Sequence, residues 1–337
     1  MDELLMDENA VSGEFENLTP YSIIDAVESA LGERLTGFAA PLPSYINRVY
    51  ELELLDGTRI VAKFYRPGRW SRESVLDEHR FVLDCLHNEV PVVAPLTLKN
   101  GSTLDDVNGI FFTVYPKRAG RRYEVCSDDQ WRRLGALIGR MHVTGAAGHA
   151  ENRLTLDPLK LTRPEVMNLL DSGAVTRSFQ NEFGTLMEKV FSVIGDRFDD
   201  FEKIRIHADC HYANILDRME QGIVLIDFDD MMNGPAVQDL WLILPDHINR
   251  CRDILDNIID GYEQFCEFDY FSVKLIEPLR LLRIIYFLSW CARQAGDHKF
   301  RQNFPDWGTD QFWRREIADI QHQLNIIIEQ DKVSGYY

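Results

Sequence analysis

His207-Ala208-Asp209-Cys210-His211-Tyr212-Ala213-Asn214-Ile215-Leu216 is followed, after a turn at Gln221-Gly222, by Ile223-Val224-Leu225-Ile226-Asp227-Phe228-Asp229-Asp230. An apolar run that ends in a carboxylate places Asp227 at a strand terminus, where a side chain projects into a cleft. Asp209 and Asn214 lie on the loop just before, and the intervening hairpin brings the three side chains together. Two carboxylates and an amide converging in this way are hard oxygen ligands. They suit Mg²⁺, which takes one or two carboxylates, waters and substrate phosphates. Phosphoryl transfer uses such parts: metal ions that bridge phosphates, and an Asp that positions the attacking hydroxyl. Taken singly, an Asp at a strand end often does no more than cap a turn, so the force of the reading lies in the ordered combination.

Working outward, Val49–Leu54 and Thr58–Phe64 alternate around Asp56-Gly57, the pattern of a β-hairpin, and place Lys63 on its second strand. Ser71 caps a predicted helix that carries Val75, Leu76, His79, Val82, Leu83 and Leu86 on one face. Strands are predicted at Leu96–Lys99 and Ile110–Tyr115, separated by Asn100-Gly101, so this unit reads strand, strand, helix, strand, strand. Ahead of it, Thr19-Pro20 opens a helix that runs to about Leu31, before Gly32. Beyond Pro116 the character turns helical. Ser127 is placed to cap a helix through Trp131, Leu134, Leu137, Ile138 and Met141, and helices are expected near 164–171, 180–194, 248–266, 272–293 and 309–331. One β-rich stretch, 204–228, interrupts them. The expectation is an α+β chain with an acidic flexible tail over 1–17, a small antiparallel-sheet lobe with one long helix over 18–115, a connector over 116–126, and a larger, mainly helical lobe over 127–337.

The 337 residues hold 36 Lys and Arg against 54 Asp and Glu, a formal charge of −18, which argues against nucleic acid as a main partner because no counterion release would drive phosphate-backbone binding. The apolar stretch Pro278–Arg293 is broken by Arg280 and Arg283, too soon for a membrane span, and the N-terminal residues are acidic where a signal peptide would be basic. Six scattered cysteines without a CxxC pair fit a reducing compartment, so a cytoplasmic protein is expected; the sequence does not fix the oligomeric state, with a monomer favoured. His207, Cys210 and His211 lack the second cluster that a zinc site needs. Cys210 reads as a small residue packed in its loop, and Lys117, Arg118, Arg121 and Arg122 as solvated surface. The Phe287 and Trp290 stripe with Leu279, Leu282 and Ile284 reads as core.

HxDxxxxN followed by hydrophobic-Asp resembles the catalytic and metal motifs of the kinase-like phosphotransferases, which include protein kinases, aminoglycoside phosphotransferases and choline kinases. Ser44–Tyr50, Val61–Pro67, Asn233–Trp241 and Ile276–Arg280 are similar to the bacterial stress-response kinases of that superfamily, a likeness that runs from about Leu18 to the C-terminal helices. The resemblance implies a bilobal, protein-kinase-like fold that uses ATP and Mg²⁺. It implies that Asp209 is the catalytic base, that Asn214 and Asp227 hold Mg²⁺, with Asp227 also counted as catalytic, and that Lys63 binds phosphates, held extended by Glu78. Ser44 would contact the nucleotide phosphates, His207 would order the catalytic loop, and Asp239 would accept hydrogen bonds from that loop's backbone. Two departures stand out: Pro43–Arg48 lacks the GxGxxG of protein kinases, and Asp227-Phe228-Asp229 replaces DFG. The implied function is an ATP-dependent Ser/Thr protein kinase of the stress response; the alternative is a kinase for an amino alcohol, sugar or aminoglycoside. A third reading, a non-catalytic ATP-binding regulator, would require a missing base, metal ligand or lysine, and none is missing.

Overall fold

The computed structural model describes residue 15 and residues 18–44, 46–296 and 298–334. The acidic tail expected over 1–17 lies outside the described residues apart from Phe15, whose ring faces the Arg48 guanidinium at 4.9 Å. Helix α1 (Pro20–Leu31) begins where Thr19 and Ser22 cap each other reciprocally, with proline at the first helical position, and stops at Gly32 in the left-handed conformation. It buries Ile23 and Val27 against a sheet built from β1 (Leu35–Leu42), β2 (Arg48–Leu54) and β3 (Arg59–Phe64). Ser71 caps α2 (Arg72–His87), and β4 (Asp105–Val107) and β5 (Ile110–Pro116) complete the unit. The sheet is antiparallel with strand order β1-β2-β3-β5-β4, and the hairpin runs from Arg48 opposite Phe64 to Glu53 opposite Arg59, about the predicted Asp-Gly turn.

Two strand expectations need correction. Strand β1 was not predicted, because Gly37 and Pro41 break its pattern. An edge strand tolerates both: the register shifts between Leu35 and Ala39, and Gly37, with φ 88°, lies within that irregularity. Leu96–Lys99 is no strand. Its amides bond to three different elements, Leu96 to the Val114 carbonyl, Leu98 to Ser102 and Lys99 to Ala30, so no ladder forms. The edge beside β5 is taken instead by the short, acidic β4.

Beyond the sheet, β6 (Arg121–Arg122) falls inside the expected connector and is followed by α3 (Asp128–Ala146), α4 (Pro158–Asp171), α5 (Gln180–Ile194), β7 (Ile204–Ile206), β8 (Ile215–Asp217), β9 (Ile223–Leu225), β10 (Met232–Gly234), α6 (Val237–Trp241), α7 (Arg252–Tyr262), α8 (Ile276–Gln294), α9 (His298–Asn303) and α10 (Asp310–Ser334). Ser127 occupies the cap position of α3 without accepting a backbone N–H; the Gln130 side chain accepts from Cys126 instead. Helix α4 starts earlier than expected because Asp157 caps it, and Pro164 is carried inside. Strands β6, β8 and β9 pair antiparallel, as do β7 and β10, and these ribbons carry the site.

Helices α3 and α7 approach so closely that a Cβ on Gly135 would stand 1.8 Å from the Ile258 carbonyl oxygen, and one on Gly261 1.8 Å from that of Arg132. Only glycine fits there. The helical core is distinct from the sheet core, and α2 joins the two halves: Phe81, Val82 and Cys85 belong to the helical core, with Phe81 edge-on to Phe228 at 5.7 Å. Helix α8 buries Leu279, Leu281, Ile285 and Leu288, whereas Phe287, expected in the core, is 44 % exposed and stacks on Trp290 at 5.9 Å. Among the described residues no helix is long and apolar enough to cross a membrane.

Candidate functional site

The loop after β7 is held from beneath. The buried Asp239 carboxylate on α6 accepts the backbone N–H groups of His207 at 2.8 Å and Ala208 at 2.7 Å, and shares His142 Nε2 at 3.0 Å. Those bonds, with Gln238 Nε2 donating to the Ala208 carbonyl, hold Ala208 at φ 68°, a conformation a non-glycine residue enters only under constraint. His207 is buried beside Phe228 at 4.4 Å. Its Nδ1 accepts from the Asp209 N–H at 3.3 Å, which leaves the proton on Nε2 for the Ile226 carbonyl at 3.0 Å. One imidazole thus ties the Asp209 loop to the Asp227 segment.

Asp209 Oδ1 accepts from Arg283 Nη2 on α8 at 3.0 Å, and Oδ2 lies 3.4 Å from His211 Nε2. Asn214 Nδ2 donates to the Asp209 carbonyl at 3.0 Å and reaches Oδ2 at 3.5 Å, so its carbonyl oxygen lies outside those bonds. The Asn214 backbone carbonyl accepts the Ile226 N–H at 3.0 Å, which draws Asp227 alongside. Strand β9 ends at Leu225, so Asp227 stands two residues beyond it, at φ 61°.

Lys63, on central strand β3, reaches across to this segment. Its Nζ lies 2.9 Å from Asp227 Oδ1, 3.2 Å from Asp229 Oδ1 and 3.9 Å from Glu78 Oε1. Burial opposes the charge on Lys63, but Asp227, Asp229 and Glu78 outweigh it and hold the ammonium protonated well above its ordinary range. Asp229 is likewise buried, yet Lys63, Arg69 and Arg153 keep it ionised below the usual carboxylate range. Its Oδ1 forms no hydrogen bond of good geometry in spite of the nearby lysine. Glu78 is pushed up by burial against the pull of Lys63 and Arg153. Its shorter partner is Arg153, at 2.7 Å. Arg153 also donates to the carbonyls of Ser74 at 2.8 Å and Asp229 at 2.7 Å, and lies over the Trp70 ring at 4.1 Å. Arg69 clamps Asp229 and Asp230 together.

The structure therefore brings Asp209, Asn214, Asp227, Lys63 and Glu78 to one cleft. Ser44 is exposed and accepts the Asn47 N–H at 3.3 Å; it connects to the cluster only through Asn47, whose Nδ2 donates to Asp229 Oδ2 at 3.3 Å. Sequence reasoning missed the roles of Arg69, Arg153, Asp229 and Arg283. The cations at 69 and 153 sit in loops with no motif around them, whereas Arg283 had a signal: a charge inside the apolar run Pro278–Arg293. Cys210 is fully buried, and burial beside Asp239 and Asp209 pushes its thiol well above the ordinary range, so it is packing rather than a reactive thiolate.

Among the described residues no group of three or more His, Cys, Asp and Glu side chains is arranged to hold a metal ion. Mg²⁺ makes no such demand: the Asp227 carboxylate and the Asn214 amide oxygen are hard donors of the kind it takes beside phosphate oxygens, and Asp227 is half exposed towards the cleft. The donor set fits Mg²⁺ together with a nucleotide. A surface cavity of about 500 Å³ lies elsewhere, between Arg121, Arg133, Arg140 and Phe265, and shares none of these residues.

Residues 39–276 match the model of the phosphotransferase enzyme family. This chain belongs to that family. It is 38% identical over 322 residues to stress response kinase A of Escherichia coli (strain K12), covering 94% of this chain and 95% of that one. It is 36% identical over 325 residues to the serine/threonine protein kinase RdoA of Salmonella typhimurium (strain LT2), covering 96% and 97%. The amicoumacin kinase hAmiN, solved with AMP-PNP, Ca²⁺ and Ami, superposes with a TM-score of 0.67 at 20% identity over 92% of this chain and 93% of that one. The phosphotransferase fold is the bilobal, kinase-like one that the motifs implied, and the chain is a phosphotransferase enzyme.

Proposed function

We propose that this phosphotransferase is an ATP- and Mg²⁺-dependent Ser/Thr protein kinase of the stress response, acting in the cytoplasm and moving the γ-phosphoryl group of ATP to a hydroxyl positioned by Asp209. The observation that carries the reading is the convergence of Lys63 with Asp227 on one side of the cleft and Asp209 with Asn214 on the other. The protein-kinase choice draws on the Salmonella relative named a serine/threonine protein kinase, and on the cation beside the base: Arg283 at 3.0 Å from Asp209 is a poor neighbour for a cationic aminoglycoside. We read residues 18–115 as the nucleotide lobe, 116–126 as the connector and 127–337 as the lobe that receives the acceptor.

On this reading the cleft works from both ends. Lys63 releases Asp227 and Asp229 and turns its ammonium to the incoming phosphates, while Glu78 and the buried Arg153 hold the α2 side of the pocket in place. Ser44, with the amides of its loop, lies at the phosphate end. Asp227 and Asn214 would hold Mg²⁺, which supplies charge neutralisation across the phosphates. Asp209 Oδ2 accepts the acceptor's hydrogen bond and takes its proton as the transfer proceeds, help worth roughly 10²–10⁴-fold. Positioning and charge account for the remainder of the rate.

The test is transfer from γ-labelled ATP with Mg²⁺, wild type against Asp209→Ala, alone and with a Ser/Thr-rich protein acceptor. Label on protein in the wild type only is the expected result. ATP turnover without protein label, saturable by one metabolite, would instead make the chain a small-molecule kinase.

A further inference from the structure

Arg283 is a cation beside Asp209, and it reaches the site from the helical half of the chain, whereas Lys63 reaches it from the sheet. It sits on α8, outside every motif that marks the site, and its side chain is 40% exposed. Nη2 donates to Asp209 Oδ1 at 3.0 Å, and the guanidinium carbon lies 5.7 Å from the centre of the Tyr286 ring. Asp209 is its one hydrogen-bonded acceptor among the described residues, so a planar group with five N–H donors uses one of them on protein. The contrast with the other arginines of the cleft is plain: Arg153 spends its donors on Glu78, Ser74 and Asp229, and Arg69 on Asp229 and Asp230. Arginine in a loaded fork is structural; arginine with spare donors beside a proton acceptor is placed for charge that appears during the reaction.

We propose that Arg283 is a catalytic residue, which stabilises the phosphoryl group in flight and is held on Asp209 until the transfer begins. The proposal rests on the phosphotransferase reading of the site. The bond between Pγ and the acceptor oxygen forms as the bond from Pγ to the β,γ-bridging oxygen breaks, and ADP leaves with that electron pair. The acceptor proton passes to Asp209, which cancels the charge that held Arg283. The guanidinium then shifts its donors to the phosphoryl oxygens, where negative charge is spread over three atoms. Release from the base and demand at phosphorus are thus coupled by one proton. The same arrangement disfavours acceptors with a cationic group next to their hydroxyl and suits a Ser or Thr with a neutral or acidic neighbour.

The acceptor is unidentified, so the experiment uses water and a transition-state mimic. ATP hydrolysis with Mg²⁺ gives kcat and KM for wild type, Arg283→Gln and Arg283→Lys, and calorimetry measures binding of Mg-ADP with and without aluminium fluoride. The expected result for Arg283→Gln is a kcat lower by at least ~100-fold with KM for ATP and affinity for Mg-ADP within about twofold of wild type. The tightening that aluminium fluoride gives in the wild type should be lost in Arg283→Gln and partly restored in Arg283→Lys. Full hydrolysis by Arg283→Gln overturns the proposal. So does a lowered kcat with the fluoride tightening intact, which would leave Arg283 only positioning Asp209, and so does an equal loss of Mg-ADP binding, which would make it structural. A wild type that binds Mg-ADP but gains nothing from fluoride also overturns it, whereas a wild type that binds no nucleotide at all overturns the phosphotransferase site itself.

Discussion

The two sides of the cleft are built on opposite principles. On the sheet side Lys63, Glu78, Asp229 and Arg153 are almost wholly buried, and each charge meets at least one opposite charge within 4 Å. On the helical side Asp209, His211 and Arg283 are partly open, joined by single bonds at 3.0–3.4 Å. Buried ions are expensive to leave unpaired, so the sheet side is rigid and couples to stability. Exposed pairs contribute little to stability and exchange partners at low cost, which is what a group that must let go of its partner during turnover needs. The sheet side is preorganised and the helical side is left adjustable.

The comparison breaks most visibly through activity. Asp209→Ala and Asp227→Ala should each lower phosphoryl transfer by more than about 10³-fold, a barrier increase of ~4 kcal/mol, with melting temperatures close to wild type; an active variant in the labelled-ATP assay would remove the mechanism. Arg153→Ala should do the reverse and act on stability, costing roughly 3–5 kcal/mol in urea unfolding, because it leaves Glu78 buried without its nearest cation. If Arg153→Ala unfolds like wild type, the sheet side is not the rigid half. Lys63→Met belongs to both columns: kcat/KM for ATP should fall about 10²-fold, and normal turnover would mean that another cation holds the phosphates.

A smaller effect sharpens the same contrast through pH. His79 is buried beside Lys63 and Arg153, with Tyr65 Oη at 3.0 Å from Nε2 and Thr103 Oγ1 at 2.7 Å from Nδ1, and its pKa is pushed down to about 3 by burial and the two cations. Below pH ~6.5 the unfolded chain takes up a proton that the folded imidazole refuses, so stability should fall with pH between about 6.5 and 3, by up to ~1.4 kcal/mol per unit. Above that window His79 contributes no slope. Glu78, held up by burial, works with the opposite sign as its carboxylate protonates, and Asp229, held down, loses its contribution only in stronger acid. The difference between wild type and His79→Gln isolates the histidine: denaturant midpoints measured from pH 7 to pH 4 should converge as pH falls, and parallel curves would mean that His79 is charged in the fold.

The readable parts of this chain were those where local rules suffice. The Thr19-Pro20 cap, the Asp56-Gly57 hairpin and the Ser71 cap each specify their own neighbourhood, and all three stand where expected. Gly37 and Pro41 hid β1 because an edge strand is stabilised by its partner and not by its own pattern. Leu96–Lys99 misled for the converse reason: a β-prone run whose amides are claimed by three different elements makes no ladder. Phe287 shows the limit of periodicity, since an aromatic on a helix stripe need not face the core.

Asp209, Asn214 and Asp227 were legible because reaction chemistry restricts which side chains stand at which spacing, and a hairpin of ten or so residues is enough to bring them together. Arg69, Arg153 and Arg283 were not, because each meets its carboxylate across 74 to 160 positions of chain, and no local rule couples residues so far apart. Charge type and spacing along the chain determined which groups take part; which of them are locked and which are free to change partners was decided by packing, because burial sets whether an ion pair is obligatory.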